Sequence, residues 1–141
     1  MFNKILVPVD ISTEATTEKL CMAANDLAEK YSAEVCLMTV LPDYGMPLVA
    51  SYFPQGAQDK IKAEMKQKLQ ALADTHFKRG VDIQLVQGKR RTAILKVIED
   101  STPDLVMIGC RRKKSRRDQR LLGATGSVIS DRAPCSVMII R

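Results

Sequence analysis

Asp10 closes the almost unbroken apolar run KILVPV of Lys4–Val9. A carboxylate at such a place can accept hydrogen bonds from a sugar hydroxyl or an amine. Gly109 and Gly123 form a second feature: glycines and a helix N-terminus present backbone N–H groups to phosphate. Between them, Arg111 to Arg120 reads RRKKSRRDQR, with seven basic residues and one acid, and this segment alone accounts for the net charge of +6. Arginine forks match phosphate oxygens, so the same stretch of chain offers two ways of holding an anion. Two plainer readings stay open beside these. Asp10 is also placed to favour the dipole of a following helix, and a basic run is commonly a solvated loop.

The remaining reactive residues argue against conventional catalysis. His76 is the only histidine, and it falls in the last turn of a helical pattern, where a partly solvated side chain is the usual outcome. No G-x-S-x-G elbow, H-E-x-x-H pair or paired catalytic carboxylates appear. Cys21, Cys36, Cys110 and Cys135 have no C-x-x-C spacing, which does not suit zinc. Cys21 and Cys36 read as small buried hydrophobes. Cys110, next to Arg111 and Arg112, is the one thiol whose charged neighbours favour a redox role.

These residues need elements to position them. With 141 residues and an apolar share of 45%, the chain is expected to form a single domain over residues 1–141 with a real core. No apolar stretch approaches the roughly 20 residues of a membrane span, and the N-terminus lacks the pattern of a secretory signal, which points to the cytoplasm. After the first strand, Ser12 or Thr13 can cap a helix whose apolar positions Leu20, Ala23, Ala24, Leu27 and Tyr31 recur at three- and four-residue steps. Val35 to Leu41 is the second strand, parallel to the first by right-handed crossover. Pro42 to Gly56 reads as a long loop.

Helical spacing returns at Ile61, Met65, Leu69, Leu72 and Phe77 and stops at Arg79-Gly80. Val81 to Val86 alternates as an edge strand does. A short helix marked by Ile94, Leu95, Val97 and Ile98 ends before Pro103, and Leu105 to Ile108 is a buried strand. Gly123 to Arg132 forms a helix, Ala133-Pro134 breaks it, and Val137 to Ile140 is the last strand. The expectation is an α/β domain of five strands alternating with four helices around a parallel sheet. In such sheets ligands bind beyond the carboxyl ends of the strands. That rim receives Pro8-Val9-Asp10 from the first strand, Thr39-Val40 from the second, and Gly109 with the chain leading to Gly123 from the fourth.

Three segments in this order, ILVPVD before a Ser/Thr-rich helix start, DLVMIG, and LLGATGSVISDRAPCSVMII, resemble the universal stress protein family along the whole chain. The resemblance implies a Rossmann-like (adenine nucleotide alpha hydrolase-like) domain, with strand order 3-2-1-4-5 and helices on both faces. It also implies a stress-response binding module, a homodimer pairing through the last strand, and ATP or AMP as ligand, with Mg accompanying ATP. ATP-binding members carry G-x-x-G-x9-G-[ST] after the fourth strand. Here Gly109 and Gly123 match the first and last glycines, but thirteen residues separate them instead of twelve. Arg112 or Lys113 stands at the middle glycine and Ala124 at the hydroxyl, with Thr125 and Ser127 displaced along the helix. Asp10 matches the acidic residue at the base or ribose and Val40 an apolar contact with adenine.

The candidate nucleotide-binding residues are therefore Pro8, Val9, Asp10, Val40, Gly109, Arg111, Arg112, Gly123, Ala124 and Thr125. Either charge replaces backbone amides at the phosphates, or the site has lost ATP. A second function makes the basic segment 111–120 a dock for an anionic partner. The run has no aromatic residue to stack on bases, so binding to nucleic acid would be blind to sequence and lost with salt. A slow ATP hydrolase is the third.

Overall fold

The structure, a computed structural model, describes residues 1–42, 56–111 and 122–141. The long loop expected after Pro42 and the basic run from Arg112 onward lie outside them. The element order is β1 (Lys4–Pro8), α1 (Glu14–Tyr31), β2 (Glu34–Pro42), α2 (Ala57–His76), β3 (Asp82–Gly88), α3 (Arg90–Ser101), β4 (Leu105–Gly109), α4 (Ala124–Arg132) and β5 (Ser136–Ile140). The five strands form one sheet in the order β3-β2-β1-β4-β5, every pairing parallel.

The apolar run of β1 behaves as a strand covered on both sides must. Ile5 and Val7 pack with Leu20, Ala24 and Leu69 of α1 and α2, whereas Leu6 between them points to the other face, among Ile94, Ile98 and Ile129 of α3 and α4. Ile5, Leu6 and Val7 are all essentially inaccessible. Burying each contributes about 1.5–3 kcal/mol by transfer from water. β3, at the edge, keeps the alternating pattern of a strand with one wetter face. Among the described residues no helix is long and apolar enough to cross a membrane.

Several details differ from the sequence expectation. α2 ends at His76, before Arg79-Gly80, because Phe77 turns extended (φ −113°, ψ 129°) and delivers its ring to the core. α3 starts at Arg90, one turn ahead of its first apolar marker, because its opening turn begins with two arginines that leave no periodic trace. Thr13 takes the position before α1 but caps nothing with its side chain. Its hydroxyl donates instead to the Asp10 carbonyl at 3.0 Å. Cys36 is half-buried and not a full member of the core.

Candidate functional site

The chain leaves β1 for α1 on one face of the sheet, and α4, which follows β4, packs on the other. The elements that follow these adjacent strands therefore part to opposite faces and leave a crevice at the carboxyl ends. A cavity of about 430 Å³ fills it. Nine of the ten candidate residues line it together: Pro8, Val9 and Asp10 from β1, Val40 from β2, Gly109 and Arg111 at β4, and Gly123, Ala124 and Thr125 at α4. Arg112 lies outside the described residues. The floor is apolar, with Leu20, Met38, Ile94 and Ile108 beneath the polar rim. A cavity of this size and character can take a small molecule with a flat apolar part and a charged end.

The end of β1 is fixed by its backbone. The Val9 N–H donates to the Met38 carbonyl at 2.8 Å, and the buried Thr39 hydroxyl donates to the Val9 carbonyl at 3.0 Å. The Asp10 carbonyl accepts from the Thr13 N–H at 3.0 Å and from the Thr17 hydroxyl at 2.8 Å. These bonds hold the residue still while its carboxylate faces the rim. Oδ1 accepts from the Ser12 N–H at 3.0 Å and the Ser12 hydroxyl at 2.6 Å. Oδ2 accepts from Arg111 Nη2 at 2.6 Å and Arg90 Nη1 at 3.2 Å.

Partial burial works to raise the pKa of Asp10, but the two Ser12 bonds and the charges of Arg90 and Arg111 outweigh it and hold the carboxyl below its ordinary value. The partners are unequal in permanence. Both guanidinium side chains are more than half exposed, at 52% and 58%, and Asp10 is at 23%. Exposed ion pairs of this kind contribute only about 0.2–1 kcal/mol, so an incoming anion can take the arginines over at little cost.

Arg90 belongs to the site and was absent from the sequence candidates. Its signal was the KRR of Lys89 to Arg91 directly after β3, since a cationic start to a helix at the carboxyl end of a parallel strand faces the ligand rim. The two glycines divide in purpose. A Cβ on Gly109 would lie 2.7 Å from Thr16 Cγ2, so this glycine lets α1 close against β4. A Cβ on Gly123, at the start of α4, would meet nothing within 4 Å. Packing among the described residues therefore does not demand glycine there.

Of the two hydroxyls near α4, Thr125 lines the cavity. Ser127 turns back to the Leu122 carbonyl at 3.4 Å. Cys110 also lines the cavity. Burial pushes the Cys21 thiol up to about 11, and Cys36 and Cys135 are raised first by burial and then by neighbouring Asp82 and Asp104 respectively.

An all-parallel α/β sheet with a cavity at its topological switch point, rimmed by one aspartate and two arginines, defines a Rossmann-like protein. Comparison with known proteins narrows this: the universal stress protein family matches residues 1–141, and the chain belongs to that family. It is 26% identical over 144 residues to a universal stress protein of Thermus aquaticus encoded in the 3′ region of a QAH/OAS sulfhydrylase gene, with both chains covered in full. Two solved structures share the fold. A universal stress protein in complex with cAMP is 18% identical with a TM-score of 0.64, the match covering 99% of this chain and 97% of the other. The universal stress protein of Archaeoglobus fulgidus in complex with dAMP is 17% identical with a TM-score of 0.68, covering 99% and 98%.

Proposed function

We propose that the protein is a stress-response binding module that takes an adenine nucleotide in the crevice at Asp10 and responds to its presence. The observation carrying this reading is the convergence of Asp10, Val40, Gly109 and Gly123 on one cavity with an apolar floor and two arginines at its mouth. The base fits against Val40 and Met38, and Asp10 accepts a hydrogen bond from the sugar or the base. The first phosphate meets Arg90 and Arg111, whose charge does the work that backbone amides of a glycine-rich loop do elsewhere. Two proteins of the same fold hold adenine monophosphates, which supports the ligand class.

Dimerisation belongs to the same proposal. β5 ends the sheet with one edge unpaired among the described strands, and its Val137-Met138-Ile139-Ile140 remains only partly buried. A second copy pairing there would cover that edge. The place of action is the cytoplasm.

The test is to purify the protein, denature it and identify any released nucleotide, then to titrate AMP into the stripped protein and into Asp10→Ala. Adenine nucleotide in the denatured supernatant, or AMP binding that weakens about tenfold in the variant, is the expected result. No released nucleotide together with no heat on titration would sink the reading. Light scattering in the same preparation should return a dimer.

A further inference from the structure

Two surfaces on opposite faces of the sheet complement each other in charge. On α1, Glu14, Glu18, Met22 and Asp26 follow one another at four-residue steps, and all four are exposed. Such spacing sets side chains in one stripe along a helix. The exposed cations of α1, Lys19 and Lys30, fall to one side of it. None of the three acids has an ion-pair partner among the described residues. Apart from Met1, Met22 at 60% is the only exposed large apolar side chain among the described residues. Methionine is flexible and suits an adaptable contact surface.

The counterpart lies across the sheet, where α3 and α4 pack. A groove of about 750 Å³ between them is lined by Lys89, Arg91 and Arg132, with Leu95, Ala124 and Val128 as its apolar lining. None of these cations pairs with a carboxylate among the described residues, and no described residue of the lining is acidic. The start of a helix favours negative charge, yet the first turn of α3 holds no acid.

We propose that the α1 stripe of one copy docks in the α3–α4 groove of another, with its acids on the cations of the rim and Met22 on the apolar lining. The match is of charge and of apolar surface together. α1 belongs to one face of the sheet and the groove to the other. A copy whose groove is filled therefore still offers its own α1, and the contact is head-to-tail and repeats from copy to copy. It uses neither the β5 edge nor the pairs of Asp10, and because charge carries much of it, salt should dissolve it.

The experiment is sedimentation velocity of the full chain over a range of concentrations, in about 0.1 M and about 1 M salt, between which the screening length falls from about 10 Å to about 3 Å. Wild type should form larger species at the lower salt, growing with concentration, and lose them at the higher. Glu18→Lys/Asp26→Lys and Arg91→Glu/Arg132→Glu each reverse one surface at exposed positions. Each variant alone should show only the species that survives high salt. An equimolar mixture, in which each reversed surface meets its complement, should regain the larger ones. Met22→Ala should weaken the association about tenfold. The contact is overturned if wild type forms nothing larger at low salt, if both variants assemble as wild type does, or if variants shown to be folded by circular dichroism fail to assemble when mixed. A wild type that stays unassembled but binds a labelled peptide of alternating glutamate and leucine, lost in Arg91→Glu/Arg132→Glu, would assign the groove to an acidic partner protein and overturn the self-contact.

Discussion

Two aspartates mark opposite rims of the sheet, and their partners differ in kind. Asp104, at the amino end, is held by backbone: the Asn3 N–H donates to Oδ2 at 2.8 Å and the Lys4 N–H to Oδ1 at 3.1 Å, while Lys4 Nζ reaches the Ser101 carbonyl at 2.7 Å. These groups cannot leave without opening the start of β1. Asp10, at the carboxyl end, shares one oxygen between two long, exposed guanidinium groups that can swing away with the backbone unmoved. Both residues are half-buried carboxylates beside strand ends. Asp104 takes backbone donors on both oxygens, whereas Asp10 keeps Oδ1 on Ser12 and gives Oδ2 to replaceable ions, which leaves that one oxygen open to exchange of partners.

Stability separates the two aspartates most widely. Asp104→Ala removes two hydrogen bonds to a charged acceptor and should cost about 1.5–3 kcal/mol in urea denaturation, with adenosine affinity unchanged. Gly109→Ala should cost about 1–3 kcal/mol, because the methyl group overlaps Thr16 and the branched threonine has little room to yield. Asp10→Ala should cost less stability than Asp104→Ala, because only one of its donors is a backbone N–H and its arginine pairs are exposed, and yet weaken AMP about tenfold. Equal stability losses at Asp10 and Asp104 would erase the distinction.

The smallest effect is in pH. Asp10 has a folded pKa below the 3.8 of the unfolded chain. Its contribution is therefore complete above 3.8 and is lost only as pH falls through the lower folded value. The stability difference between wild type and Asp10→Asn should be flat at neutral pH and shrink only in acid below 3.8. A difference that already changes near neutrality would mean that another group controls the rim.

Much of this architecture is legible from hydrophobic pattern. The runs at β1 and β4 are continuous because both faces are covered, β3 alternates because it is an edge, and their alternation with amphipathic helices forces a parallel sheet. The fold rule that ligands gather at carboxyl ends then brings Asp10, Val40, Gly109 and Gly123 together, and nine of ten candidates line one cavity. Helix ends were harder to read. Phe77 leaves α2 early for the core, a tertiary gain that local spacing does not encode. Arg90 escaped for a related reason. A charged first turn carries no periodicity, and its pairing with Asp10, eighty residues away, exists only once β3 and β1 share a sheet. The two roles of Gly109 and Gly123 look alike in the sequence, because the contact of Thr16 with Gly109 joins residues far apart in the chain.

In the proposed function, the arginines bound to Asp10 pass to the phosphate of the ligand. Affinities of adenosine and AMP, measured by calorimetry for the wild type and for Arg90→Ala/Arg111→Ala, test it most directly. AMP should exceed adenosine by about tenfold in the wild type, and the two should bind alike in the double variant. Equal affinities in the wild type, or a phosphate advantage that persists without both arginines, would contradict it.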